Sequence, residues 1–149
     1  MKDSVKKEVK EIINCYGFGC SIEELKDKTE THWKYISAKK ILSEDFIREY
    51  QDKVNWYFIS VYQKLSEDFI KEFQNKVDWE LICSCQTLSE DFIREFKDKI
   101  DLEWIQKNEK ISISDELRKE INNGYILPPH KIINLFPKIT RSQLIDLEQ

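Results

Sequence analysis

A unit of 23 residues occurs three times in succession in this sequence, and it constrains the fold more than any other feature. The copies occupy residues 42–64, 65–87 and 88–110 and read LSEDFIREYQDKVNWYFISVYQK, LSEDFIKEFQNKVDWELICSCQT and LSEDFIREFKDKIDLEWIQKNEK. Thirteen of the 23 positions are identical between the first two copies, and they are spread over the whole unit. A fixed period of this length is typical of arrays in which each unit packs on its neighbours.

The first half of each unit is predicted to form a helix, here named helix A. It follows a serine that can cap it, and a glutamate and an aspartate occupy its first turn. In the first copy Phe46, Ile47, Tyr50 and Val54 fall on one helical stripe, while acid–base pairs four residues apart lie on the other face. We expect this helix A to run from the acidic pair to about Lys53.

The second half of each unit is predicted to form helix B. Asn55, Asp78 and Asp101 can cap it, and each stands before a short apolar segment. Isolated helices shorter than about 12 to 15 residues are marginal in water, so these short helices must be held by stacking. The sequence therefore predicts an all-α fold, a solenoid-like array of short antiparallel helix pairs with N- and C-terminal capping helices.

The ends of the chain depart from the strict repeat, as terminal units of an array do when they face water. We expect one helical-repeat domain over residues 1–149, with residues 1–19 as an N-terminal cap and residues 111–149 as a C-terminal helical cap. Residues 20–41 are interpreted as a degenerate repeat. Its segment Ser21 to Lys28 resembles the start of helix A, and Trp33 precedes Trp56 by one period of 23 residues.

Charge is unevenly distributed, although the net charge is only −4. Residues 1–41 sum to +2, the three strict repeats to −6 and residues 111–149 to zero. Binding of nucleic acid requires a clustered basic face, so an acidic array makes it an unlikely partner. The sequence has no apolar run of membrane-spanning length and no signal peptide pattern, which predicts a cytoplasmic protein without a membrane partner.

The residues that usually carry catalysis or bind metals are few and poorly grouped. The four cysteines include no CxxC pair, and we interpret them as small apolar side chains in a reducing compartment. His32 is assigned a capping or surface role, and His130, after two prolines, a contact role. Because no phosphate loop, HExxH or GxSxG motif occurs, we expect no enzyme activity, no metal and no cofactor.

Two recurring features admit both a structural and a functional interpretation. The tryptophans of helix B are interpreted as core residues that pack against the neighbouring repeat. The acidic pairs can simply complement the helix dipole, or they can form a ladder that imitates a row of phosphates. The six residues of this ladder are Glu44, Asp45, Glu67, Asp68, Glu90 and Asp91.

Positions that differ between the copies show where the scaffold tolerates change, and those on helix B are candidates for partner binding. We expect helix B to line the concave face of the stack, with Tyr57 and Tyr62 as aromatic anchors. The candidate partner-binding residues are Tyr57, Val61, Tyr62, Glu80, Ser84, Glu103 and Lys107.

The segments LSEDFIREF and DKVDW, with a trailing isoleucine and glutamine, resemble the short helical repeats of about this length in proteins of giant amoebal viruses, phages and some bacteria. The resemblance covers Leu42 to Ile105 and supplies no catalytic residue. It implies a viral protein that binds a host or defence protein in the host cytoplasm. We therefore expect a non-enzymatic protein–protein interaction module, and the alternative is an acidic decoy that inhibits a nucleic-acid-binding protein.

Overall fold

The computed structural model describes residues 1–39 and 41–123, and all regular structure within them is helical. The prediction of an all-α array is therefore confirmed. His130 and the rest of the predicted C-terminal cap after Asn123 lie outside the described residues. The elements in chain order are α1 (Asp3–Tyr16), a 3-10 helix (Glu23–Asp27), α2 (Glu30–Lys39), α3 (Glu44–Glu49), α4 (Trp56–Tyr62), α5 (Glu67–Glu72), α6 (Trp79–Cys85), α7 (Glu90–Glu95), α8 (Leu102–Lys107) and α9 (Asp115–Asn123).

The predicted caps of both helices are confirmed, because each capping side chain accepts a backbone hydrogen bond from the first turn. Ser43, at the start of α3, accepts from the N–H of Phe46 at 3.1 Å, and the serines before α5 and α7 do the same. Before α4, the Asn55 side chain accepts from Phe58 at 3.2 Å. Asp78 and Asp101 cap α6 and α8 in the same manner.

Helix A ends earlier than the sequence suggests. In the first strict repeat α3 stops at Glu49, and the Tyr50 carbonyl accepts hydrogen bonds from the N–H groups of both Lys53 (2.8 Å) and Val54 (3.0 Å). These bonds close a non-helical turn in place of a further turn of α-helix, and Tyr50 and Val54 are buried there. The same pattern recurs at Phe73 and Phe96, so the turn is part of the repeat.

The helices B stack directly on one another, so that α2, α4, α6 and α8 form one layer, here called the B layer. A small residue lies at each of the three contacts between successive helices B, where Ser37, Ser60 and Cys83 are all completely buried. The Ser60 hydroxyl donates to the Trp56 carbonyl at 2.8 Å and accepts from the N–H of Asp78 at 3.0 Å. The small side chain therefore allows close approach of two helices and also joins them.

The tryptophans of helix B pack against helix A of the following repeat, as predicted. The Trp56 ring lies 6.3 Å from Phe69 and 5.0 Å from Phe73, measured between ring centroids. Trp79 contacts Phe92 and Phe96 in the same arrangement. Large aromatic rings bury large areas, so these contacts contribute to the apolar interface between repeats together with buried aliphatic side chains such as Ile59 and Ile70.

Both ends of the array contain a helix in the position of helix A that the spacing in sequence does not predict. At the N-terminal end α1 takes this position, because its Glu8 accepts hydrogen bonds from the backbone N–H and the hydroxyl of Ser43. The segment Ser21 to Lys28, which resembles the start of helix A in sequence, forms only a 3-10 helix. At the other end Ser114 caps α9 and hydrogen-bonds to Glu90. We call α1, α3, α5, α7 and α9 the A layer.

Candidate protein-binding surface

The glutamates of the predicted acidic ladder connect successive repeats. Glu44 accepts a hydrogen bond from the backbone N–H of Ser66 at 2.7 Å, and Glu67 accepts one from that of Ser89 at 2.6 Å. Glu90 accepts from Ser114 in the same way, and this bond holds the pKa of Glu90 below its usual range. Each serine caps its own helix, so the glutamate satisfies the N–H of the capping residue itself. These carboxylates therefore have a structural partner within the array.

The aspartates of the same ladder have a different environment. Asp45 binds Lys2 at 2.8 Å, which lowers its pKa, and Arg48 lies 3.5 Å away. The Asp91 side chain is 99% exposed and meets Arg94 only at 3.6 Å, and Asp68 is also exposed. The two aspartates at 68 and 91 are the members of the ladder that lie most openly in solvent.

The basic residues of helix A also form contacts between repeats. Arg48 binds Glu72 at 2.8 Å and Lys71 binds Glu95 at 2.6 Å, each 24 residues on. The Arg48 guanidinium lies 4.9 Å from the centroid of the Phe69 ring, which adds a cation–π contact. Much of the charge of the A layer is therefore used to join one repeat to the next.

The large exposed apolar side chains of the array lie mainly on the B layer. Tyr35, Tyr57 and Tyr62 are 51%, 56% and 59% exposed. The half-buried ring of Phe58 lies between two of them, 5.4 Å from Tyr57 and 6.1 Å from Tyr62. Burial does not explain why Tyr57 and Tyr62 are aromatic, so this cluster on α4 is a candidate interaction site.

The seven candidate partner-binding residues all lie on helices of the B layer, and we call the surface that they form the B face. Three pairs follow i, i+4 spacing, which places the members of each pair on one side of their helix: Tyr57 and Val61, Glu80 and Ser84, and Glu103 and Lys107. Tyr62 follows Tyr57 by five residues and therefore lies on an adjacent side of α4. Val61 and Ser84 are half-buried, whereas Glu80, Glu103 and Lys107 are exposed. Lys107 binds Glu103 at 2.8 Å and lies 4.7 Å from the Trp104 ring centroid. The B face thus changes from aromatic on α4 to charged on α8.

An open groove that was not among the sequence candidates adjoins this face. It has a volume of about 660 Å³ and lies where the ends of α4 and α6 meet the loops that lead into α5 and α7. Val61, Tyr62 and Cys85 contribute to its wall, and Lys64 and Lys110 also line it. We call it the loop groove. The sequence contained a signal for it, since position 64 and its equivalents at 87 and 110 read Lys, Thr and Lys.

Histidine and cysteine side chains have local roles in this part of the chain. His32 Nδ1 lies 2.6 Å from the Thr29 hydroxyl at the start of α2. Cys83 is buried, which raises the pKa of its thiol to about 12, whereas Cys15 is exposed. No group of three His, Cys, Asp or Glu side chains within residues 1–39 and 41–123 is placed to bind a metal ion.

None of the helices in these two ranges has the length and apolar character needed to cross a membrane. Comparison with protein-family models, curated proteins and solved structures gives no match for this chain. Its function must therefore be inferred from its own side chains.

Proposed function

We propose that the protein is a non-enzymatic protein-binding module that recognises its partner through the B face. The observation that carries the proposal is the exposed cluster of Tyr57, Phe58 and Tyr62 on α4. Aromatic side chains, tyrosine among them, supply much of the binding energy in protein interfaces because they bury large areas with few rotatable bonds. No bond is made or broken in the proposed mechanism.

The contacts between repeats support this assignment of the two layers. Charged residues of helix A are held by the adjacent repeat, as in the pair of Arg48 and Glu72. Successive helices B have the more extensive backbone contacts, which is the geometry of the inner layer of a curved stack. The B face would then be a preorganised concave surface, and little conformational entropy would be lost when a partner binds to it.

The buried amides on the same layer add rigidity. Gln63 and Gln86 end α4 and α6, and both are almost completely buried. Gln86 accepts a hydrogen bond from the N–H of Leu65 and donates to the carbonyls of Ser60 and Gln63 in the preceding repeat. A layer joined in this way presents Tyr57 and Tyr62 in a fixed relative position.

The resemblance to repeats of giant amoebal viruses extends the proposal to the partner, which would be a host or defence protein in the host cytoplasm. A photo-crosslinking amino acid at position 57, introduced into the full chain, tests this in amoebal lysate. The expected result is one crosslinked partner, whose capture is lost when Tyr62 is replaced by serine. The same crosslinker at Glu49, which is exposed on the A layer, is the matched control. Equal crosslinking from both positions would contradict recognition by the B face.

The decoy alternative has less support. The three glutamates of its acidic ladder already accept hydrogen bonds from the next repeat, which leaves Asp68 and Asp91 as the open carboxylates. Affinity of a decoy should fall steeply as salt rises, because its contacts are exposed charges, whereas an interface anchored by tyrosines should lose little. Replacing both aspartates with asparagine should abolish decoy binding and leave a partner of the B face unaffected.

A further inference from the structure

The loop groove has an apolar wall and a polar floor whose backbone groups are already hydrogen-bonded. The N–H of Leu65 donates to the Gln86 side chain at 3.1 Å, and that side chain donates in turn to the Gln63 carbonyl at 2.8 Å. The Gln86 carbonyl accepts from the Asn108 side chain at 2.8 Å. Because these groups have partners within the array, a ligand in the groove must be recognised mainly by side chains.

The charged side chains that line the groove are Lys64, Lys110 and Glu67, so the lining is net positive although the three strict repeats together carry −6. Lys64 is exposed and forms no ion pair with any residue that the structure describes. Lys110 donates to the Cys85 carbonyl at 2.8 Å and has no carboxylate partner among residues 1–39 and 41–123. The acidic residue of the lining, Glu67, is held by the N–H and hydroxyl of Ser89. By contrast, Lys71 on α5 and Lys76 in the turn after it both bind carboxylates.

We propose that the loop groove binds an extended acidic segment of a partner protein, and this proposal rests on the proposed function. Lys64 and Lys110 would bind two carboxylates, and Tyr62 would contact an apolar side chain between them. The two lysines occupy equivalent positions two repeats apart, which places their backbones about 20 Å apart at about 10 Å between packed helices. The Lys110 ammonium reaches back to the Cys85 carbonyl, so its charge lies closer to Lys64 than that. An extended chain advances about 3.3 Å per residue, so the two acidic positions of the ligand would be at most about six residues apart.

The test uses the full chain labelled with nitrogen-15 and a defined probe, the blocked octapeptide Glu-Glu-Leu-Ser-Leu-Ser-Glu-Glu. The expected result is a saturable shift of amide signals at residues that line the groove, including Tyr62, Lys64 and Lys110. The same peptide with lysine at every glutamate position should cause no such shift. The double variant K64E/K110E should bind the acidic peptide about tenfold more weakly, since two favourable charge contacts become repulsive.

A matched control separates the groove from the charge of the whole protein. K53E/K97E changes the net charge by the same amount at two lysines that are exposed and lie outside the groove lining. It should leave the affinity within about twofold, because exposed charges farther away than a Debye length are largely screened. Equal weakening by the two double variants would overturn the proposal. So would shifts confined to residues outside the groove, or no binding of the acidic peptide.

Two further outcomes assign the result to the correct hypothesis. Tighter binding of an octameric oligothymidylate than of the acidic peptide would overturn the proposal in favour of a nucleic acid ligand. If the partner crosslinked from position 57 binds K64E/K110E as tightly as the wild type, the loop groove is not its site. In that case the B face remains the binding surface, so failure of the groove and failure of the proposed function are distinguishable.

Discussion

Replacing Gln86 with alanine is expected to destabilise the array by about 3 kcal/mol. The side chain is almost completely buried and forms three hydrogen bonds. One is with the N–H of Leu65 at the start of its own repeat (3.1 Å), and two are with the carbonyls of Ser60 (3.0 Å) and Gln63 (2.8 Å) in the preceding repeat. Each bond whose loss leaves a buried backbone group without a partner costs about 1 kcal/mol or more. The sum is a large fraction of the stability of a domain of this size.

Gln74 provides a control within the same repeat. Its side chain is only half-buried and accepts one hydrogen bond, from the Lys99 ammonium at 2.7 Å. Replacing Gln74 with alanine should therefore cost less than about 1 kcal/mol, as exposed substitutions usually do. Both variants replace glutamine with alanine, so the two substitutions differ little in their effect on helix propensity or on the unfolded chain.

Urea unfolding followed by circular dichroism at 222 nm measures both values. We expect the transition midpoint of Gln86→Ala to fall with little change in the slope of free energy against urea concentration. A changed slope would indicate that the repeats no longer unfold together, which arrays of this kind allow. If Gln86→Ala costs no more than Gln74→Ala, the buried amides do not hold the repeats together as argued.

Three further predictions follow from individual contacts. Cys83→Ser should leave the free energy of unfolding within about 1 kcal/mol of the wild type, because Ser60 already fills the equivalent buried position. A loss above about 2 kcal/mol in the urea assay would contradict this. In the native protein Ellman's reagent should modify exposed Cys15 rapidly and Cys83 only after unfolding, since burial raises the pKa of the Cys83 thiol to about 12; equal rates would disprove it. The hydrogen bond from Ser114 lowers the pKa of Glu90 in the folded protein. The stability that this provides is present above the unfolded pKa of about 4.3 and is lost as the pH falls through the folded pKa. Glu90→Gln should therefore flatten the dependence of the unfolding free energy on pH between about 3 and 5. An unchanged dependence would show that this carboxylate is not coupled to folding.

The sequence predicted the repeat, the capping residues and the use of tryptophan as core because these depend on local pattern. Ser43 and Asn55 cap their helices as expected, since a cap needs only a short polar side chain and a nearby N–H group. The end of helix A was predicted about four residues too late. The apolar spacing of a helix continues through Val54, although Tyr50 and Val54 face the core from a turn. Apolar periodicity alone does not distinguish a helix from such a turn.

The polar contacts between repeats, unlike the packing of the tryptophans, were not predictable from the pattern. Glu44 and Arg48 are spaced for an ion pair within helix A, and the structure has one at 3.6 Å. Their shorter contacts are to residues of the next repeat, with Ser66 at 2.7 Å and Glu72 at 2.8 Å. A spacing of 22 to 24 residues becomes a contact only when the pitch of the stack is known. For the same reason the acidic pairs admitted both a structural and a functional interpretation.

The terminal helices of the A layer show the same limit. Ser114 follows Ser89 by 25 residues instead of 23, because the loop after α8 is longer, and the strict register therefore misses it. Glu8 precedes Ser43 by 35 residues, and the intervening 3-10 helix resembles the start of helix A in sequence. Contacts identify α1 and α9 as members of the A layer, whereas the pattern suggested that the repeats begin at residue 20 and end at residue 110.

The bonding between repeats also explains which positions are free to vary. At position 60 and its equivalent at 83 only a small residue allows two helices B to approach, and the sequence has Ser and Cys there. The neighbouring position reads Val61, Ser84 and Lys107, a change from apolar to charged, and it lies on the B face, where the first two are half-buried and Lys107 is exposed. A surface that the scaffold leaves unrestricted can be changed by selection for a partner without loss of the fold. Tyr57 and Tyr62 are each more than half exposed, so the proposed function rests on side chains that the stability of the array does not require to be aromatic.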